Sequence, residues 1–582
     1  MNEANSKTTQ ERTTTGFPGE IDDTADLRPA EMVMDLQRLG SLQPFRLSFM
    51  RILVRQMVRD RWQIHCSQFE LDDLGYGFAV YVLQAGTETY SFVVFAVYLS
   101  DGSRNDRVIA AQWDLTMALV QGEVTDGQLQ QLRANVPLQE AGRMSREMLV
   151  LSRANRSKRM FDDVVDSLAS GLQPDINRLK DVGYLCRTTA VYGSGKFGMA
   201  DWSVVQRSCR TFVRPFAAEM FTCYMLRHFS VEQVQHIAGR RAPETAVALD
   251  SDIRRYLGIG NATGLGMAPF LIKHPQLIAR WMTVREVSLA RVLARGKVTP
   301  GILSRLLAMI EKVIQHTRET HVKDPAQVTR NHQLMAELTN LSERLIGHQD
   351  FTDWQWLKAR LIERYSLDTI ETMYSLMIEL YPHLVDDMEE YLGADEHLQL
   401  RPEIALSELK RTIESQYGWA LSIDFRKPER QHIFWYRSEE KMEPRLGERY
   451  VESGADKELP VQVARSVKAC HALILSDLLV HADSDVVHFL LRHPDQISIV
   501  RRIQTMTPLI YGDIRANLAD KDMQPMHLLR AKLSFFGVSK FDPKSRLWVR
   551  NTMFQGAPLI SELGSGRDLD DWYFPVAPIG RR

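Results

Sequence analysis

The stretch Gly258-Ile-Gly-Asn-Ala-Thr-Gly-Leu-Gly266, followed by Met267-Ala-Pro-Phe and a long helical pattern, decides how the middle of this chain is read. Glycines at 258, 260, 264 and 266 leave the backbone free to take positive φ and to approach a ligand closely. Pro269 marks a helix start, and helix N-termini attract anions. The stretch therefore reads as a loop, with Gly260, Asn261, Thr263 and Gly264 as candidate ligand-binding residues. It is not a dinucleotide fingerprint. That motif needs G-x-G-x-x-G directly after a buried strand, whereas here the spacing is G-x-G-x-x-x-G-x-G and the preceding Asp250-Ser-Asp-Ile-Arg-Arg-Tyr-Leu reads as helix. The plain alternative is a tight helix–helix connection in which glycine permits close packing.

A second glycine cluster, Tyr192-Gly-Ser-Gly-Lys-Phe-Gly198, follows a short strand-like run, Thr188-Thr-Ala-Val-Tyr. It fails as a phosphate-binding P-loop, because Ala190 stands where the first glycine should be and Phe197 where Ser or Thr should hold magnesium. A looser role remains, in which Gly193, Ser194, Gly195 and Lys196 contact a phosphate or carboxylate; the alternative is an exposed turn. Shortly after, Arg207, Arg210 and Arg214 fall at spacings of three and four within an expected helix, Val204 to Phe229. Three guanidiniums on one helix face repel unless acids or an anionic ligand face them, and arginine suits bidentate capture of carboxylate or phosphate.

Catalytic groups are harder to nominate. Glu219, His236 and Glu439 are the acid/base candidates, Glu439 from the charged segment Phe434 to Arg449, whose other reading is a charged hairpin end. Glu232 and His236 are four apart, yet neither H-E-x-x-H nor paired E-x-x-H occurs, so no metal site is assigned. G-x-S-x-G is absent, and Cys470-His471 are sequence neighbours that a helix points in different directions. The sequence identifies no cofactor.

Outward from this centre, the period of the apolar residues sets the fold class. Phe78-Ala-Val-Tyr-Val-Leu and Ser91-Phe-Val-Val-Phe-Ala-Val-Tyr-Leu are β-branched and aromatic runs around the turn Gln84 to Thr89, a hairpin, and Val108 to Trp113 offers a third strand. From Gln128 the periodicity is helical, as in His274–Arg295, Ile302–His321, Asn331–Gly347 and Trp354–Leu392. Trp419 to Phe425 and His432 to Arg437 read as a late hairpin, and from about Asp542 the chain looks irregular. The expected fold is mainly α: a large multi-helical body, an N-terminal α+β unit with a small antiparallel sheet, and a late β-hairpin insertion. The expected divisions are a polar, disordered tail over 1–27, the α+β unit over 28–127, a helical domain with the glycine loops over 128–400, and a helical domain with the hairpin at 419–438 over 401–582. Phe270-Leu-Ile-Lys-His-Pro275 recurs as Phe489-Leu-Leu-Arg-His-Pro494, a pair that is either a trace of duplication or coincidence.

Composition bounds the function. With 582 residues the chain exceeds the size of one growing core. Lys+Arg 72 against Asp+Glu 73 gives a net charge of −1, which argues against nucleic acid as a partner, although the run Arg143, Arg146, Arg153, Arg156, Lys158 and Arg159 keeps a local basic face open. No apolar run is long enough to span a bilayer, and the N-terminus lacks the apolar segment of a signal peptide. Five scattered cysteines without a CxxC pair fit reduced thiols in a cytoplasm. The expectation is a cytoplasmic enzyme or binding protein for a small anionic molecule, with no membrane partner; a homo-oligomer is allowed. Its rival is a non-catalytic helical scaffold that binds other proteins.

Overall fold

A computed structural model describes residues 27–98, 113–138, 147–188, 209–264, 275–347, 351, 353–392, 400–426, 460–513, 526–544, 548–565 and 569–579. Its organising element is a nine-stranded mixed sheet in the order β1-β2-β3-β4-β5-β6-β7-β9-β8. The strands are β1 (Gln63–Leu71), β2 (Gly77–Ala85), β3 (Glu88–Ala96), β4 (Leu115–Gln121), β5 (Met148–Arg156), β6 (Tyr184–Thr188), β7 (Gly258–Gly264), β8 (Lys540–Pro543) and β9 (Trp548–Met553). Neighbours are antiparallel except β6 and β7, which run parallel.

The expected hairpin is present: β2 and β3 pair from Gly77↔Ala96 to Ala85↔Glu88, and Gly86 turns the chain at φ +60°. Side chains alternate across the sheet with period two. Phe78, Val80, Val93, Phe95, Ala118 and Val120 form one small core with Leu132 and Val136 of the covering helix Asp126–Asn135 and its end. Ala79, Tyr81, Leu83, Phe92, Val94, Met117 and Leu119 belong to the large core on the other face. There the helix Ala217–Arg241, buried along most of its length, lies against the sheet. Beyond it, helices Pro275–Leu293, Pro300–Arg318, Pro325–Gly347 and Leu367–Glu379 build the helical body. Three of these begin at a proline, whose fixed φ and missing N–H suit a first helical position.

The expected fold class is corrected on two points. The sheet is not a small N-terminal one, because β4 to β7 extend it and the C-terminal β8 and β9 complete it. Nor is there a late hairpin over the described part of 419–438, since Gly418–Leu421 is a short helix and Ile423 to Arg426 are irregular; residues 427–459 lie outside the described set. The glycine-rich stretch is the main cause of the first error. Gly258 to Gly264 form a strand between β6 and β9, not a loop. A Cβ on Gly258 would collide with the Met553 carbonyl oxygen, and one on Gly260 would come within 2.5 Å of the Tyr184 ring. The glycines thus let strands and an aromatic ring approach closely, one of the established uses of glycine in strands.

A candidate anion-binding cleft

A cleft of about 430 Å³ opens where β1 and β2 meet the helix Ala217–Arg241. From that helix come Tyr224, Arg227, His228, Val231, Glu232 and Gln235, a stripe at three- and four-residue spacing. β1 supplies Ile64, His65 and Cys66, β2 supplies Tyr81, the short helix Ser251–Tyr256 supplies Arg254, and Leu559 to Ser561 close the rim. A register shift in β1 between Cys66 and Gln68 interrupts the alternation there.

Three polar side chains interlock in this cleft. The Tyr81 hydroxyl donates to Glu232 Oε2, while His228 Nε2 lies 3.2 Å from Glu232 Oε1. Burial works against the Glu232 charge, yet the hydrogen bonds from His228 and Tyr81 and the His228 charge hold its carboxyl below the ordinary value. The same environment pushes the Tyr81 phenol far up, by burial first and by Glu232 second. Burial and the Glu232 charge raise the Cys66 thiol to about 11, so at neutral pH it is a thiol, not a thiolate nucleophile. His228 and Tyr81 therefore hold Glu232 as a carboxylate with both oxygens engaged, whereas Cys66 cannot attack without an added base.

The charges in the lining do not balance. Arg227 is buried and spends its donors on carbonyls alone: Nε on Leu257, Nη1 on Pro558, and Nη2 on Arg255 and Ala557 at 2.8 Å each. Burial lowers its pKa to about 10, which still leaves it a cation at neutral pH. Arg254 lines the same cleft, and its buried Nε makes no hydrogen bond among the described residues. The lining thus holds two guanidiniums and one carboxylate, with Glu562 acting on Arg227 from outside it. Among the described residues no group of three or more His, Cys, Asp and Glu is placed to hold a metal ion.

The residues singled out in the sequence lie elsewhere. Gly193, Ser194, Gly195, Lys196, Arg207 and Glu439 fall outside the described residues. Arg210 and Arg214 precede the helix that was expected to carry them, which begins at Ala217. The Arg210 backbone N–H donates to Glu88 at 2.9 Å, and Arg214 Nη1 donates to Glu389 at 2.9 Å, so Arg214 already has an acid. Gly260, Asn261, Thr263 and Gly264 all sit in β7, with Asn261 Nδ2 donating to the Thr188 carbonyl of β6 at 2.5 Å.

Glu219 and His236 share the central helix but are 17 residues apart, or about 25 Å at 1.5 Å per residue. Burial raises the Glu219 carboxyl to about 7, and its Oε2 has no hydrogen-bond partner among the described residues. His236 Nε2 lies 3.0 Å from the Asp72 carbonyl, with its ring edge-on to Phe69. Sequence reasoning paired Glu232 with His236, whereas the structure pairs it with His228, four residues the other way. The signal that could have found the site was the i, i+4 pair His228/Glu232 beside Arg227.

No protein-family model, no curated protein and no solved structure matches this chain. Among the described residues, no helix is long and apolar enough to cross a membrane.

Proposed function

We propose that the protein binds a small carboxylate- or phosphate-bearing molecule in the cleft between β1, β2 and the helix Ala217–Arg241. The observation that carries this reading is the charge imbalance of Arg227 and Arg254 over Glu232 in a lining otherwise made of neutral and apolar groups. A buried cation without a carboxylate is costly, and an anionic ligand would offset that cost. Arg254 is the anchor, because it lines the cleft with no carboxylate in ion-pair distance among the described residues, while Arg227 contributes charge from behind the wall. His228, held by Glu232, is the group that would give or take a proton at the ligand, and Ile64, Val231, Leu559 and Ile560 would cover its apolar part. The volume suits a ligand of metabolite size.

The test is calorimetric titration of the full chain with small mono- and dicarboxylates, inorganic phosphate and phosphate monoesters, followed by Arg254→Gln. A charged hydrogen bond contributes about 1.5–3 kcal/mol, so the variant should weaken binding roughly 10- to 150-fold. An anion that binds Arg254→Gln as tightly as the parent chain would refute the assignment.

A further inference from the structure

A second cleft of about 430 Å³ lies across the short helix Ser251–Tyr256 from the first, so that Arg254 lines one and Asp252, Arg255 and Tyr256 line the other. Its remaining walls are Lys312 from the helix Pro300–Arg318 and the C-terminal residues Gly556, Asp571, Trp572, Pro575, Val576, Pro578 and Ile579. Lys312 is unusual among these. Its ammonium donates to the Asp571 backbone carbonyl and sits 4.5 Å from the Tyr573 ring centroid. Among the described residues no carboxylate stands within ion-pair distance of it. The Asp571 carboxylate is taken instead by Arg255 Nη2 at 2.8 Å, while Arg255 Nη1 is 3.8 Å from Glu562, beyond hydrogen-bond reach.

We propose that Lys312 forms an imine with a small 2-oxo acid in this cleft, with Arg255 taking the acid's carboxylate. The neutral amine adds through its nitrogen lone pair to the carbonyl carbon. The carbinolamine then loses water as C=N forms, so the step is a condensation with no change of oxidation state. An amine must shed its proton to attack, and desolvation in an apolar pocket beside other cations is an established means of favouring the neutral form. Burial and neighbouring cations are both present, in a lining that mixes Asp252, Arg255 and Asp571 with apolar side chains. Burial, and after it Arg51 and Arg255, lower the Lys312 pKa against the opposing pull of Asp571 and Glu379. Trp572, Pro575, Val576 and Pro578 supply walls that favour loss of water from the adduct. This site is independent of the anion cleft, and either can fail without the other.

The full chain is incubated with glyoxylate and sodium cyanoborohydride, which reduces an imine to a stable carboxymethyl amine, and the adducts are mapped by peptide mass spectrometry. Lys312 should be trapped several-fold faster than the exposed Lys158 and Lys297, and Lys312→Arg should remove that adduct. Arg255→Gln should slow trapping by glyoxylate while leaving trapping by acetaldehyde, which has no carboxylate, near the parent rate. Trapping of Lys312 no faster than the exposed lysines overturns the imine assignment. Fast trapping that Arg255→Gln leaves unchanged, or slows equally for both aldehydes, overturns the oxo-acid assignment.

Discussion

Replacing Glu371 by Gln should remove a large share of the protein's stability. Glu371 and Arg285 have fully buried side chains, and Arg28 and Arg38 are nearly so. Glu371 Oε1 accepts from Arg28 Nη1 at 2.8 Å and from Arg38, and its Oε2 accepts from Arg285 Nη2 at 2.5 Å. Glu286 takes Arg28 through two bonds of 2.7 Å and Arg285 through one of 2.9 Å. Three cations therefore rest on two anions, and the substitution leaves three on one. Breaking a buried pair by removing one partner costs about 3–5 kcal/mol, against a typical total of about 5–15 kcal/mol. Urea unfolding read by circular dichroism and tryptophan fluorescence would report the loss as a fall in midpoint at constant slope. Burial opposes the Glu371 charge, but its three arginines hold the carboxyl far below its ordinary 4.5. The sign follows: with the folded pKa depressed, this stability is fully present above about pH 4.5 and is lost as pH falls below it. The Gln variant should lack that part of the acid loss. A shift under about 1 kcal/mol for Glu371→Gln would refute the reasoning, since it would mean that water or rearrangement compensates the arginines.

Two further outcomes follow from single residues. Burial lowers His316 to about 4, although its Nδ1 lies 2.7 Å from the Pro575 carbonyl. The folded state keeps this ring neutral while the unfolded chain protonates near 6.5, so stability should fall as pH drops from about 6.5 toward 4, by roughly 3 kcal/mol from this group; His316→Gln should flatten the slope, and unchanged slopes in paired unfolding curves at pH 7 and 4.5 would exclude it. Gly260→Ala should cost about 1–3 kcal/mol through its clash with the Tyr184 ring; a thermal-unfolding series in which Tyr184→Leu fails to relieve that cost would show that the ring is not the constraint.

How much of the fold could be read from sequence depended on whether an element carries its own periodicity. The hairpin of β2 and β3 did, through alternation and Gly86, and so did the helices: His274–Arg295 is found as Pro275–Leu293, and Ile302–His321 as Pro300–Arg318. Trp354–Leu392 divides into helices Trp354–Arg364 and Leu367–Glu379 and two short 3₁₀ turns. β5 hid because strands covered on both faces lose their alternation: Met148 to Leu151 are all buried, and Arg153 and Arg156 in the same strand suggested a basic helix face. β7 carries no large β-former beyond Ile259, so its strand character comes from β6 and β9 on either side, partners far away in sequence.

The candidate site was less legible for a related reason. A carboxylate and a histidine four residues apart can be counted along a helix, but Glu232 has a histidine at that distance on each side, and only Tyr81, arriving from β2, marks the cleft side. Arginines pose the same problem more sharply. Arg28, Arg38, Arg46, Arg51 and Arg55 make the segment 28–59 look like a basic surface, yet the fold brings Glu286, Glu371, Glu379, Glu389 and Asp570 onto them. Arg214, chosen from its spacing, meets Glu389 in the same way. Arg254 and Arg227, in an unremarkable local sequence, have no carboxylate within ion-pair distance among the described residues, and Glu562 acts on Arg227 only from farther away. A net charge of −1 over the whole chain is therefore compatible with a positive cleft, because the acids that would neutralise it are committed elsewhere. What separates Arg254 from Arg214 is whether the fold brings an acid within ion-pair distance, a property of pairings across hundreds of residues and not of any local spacing.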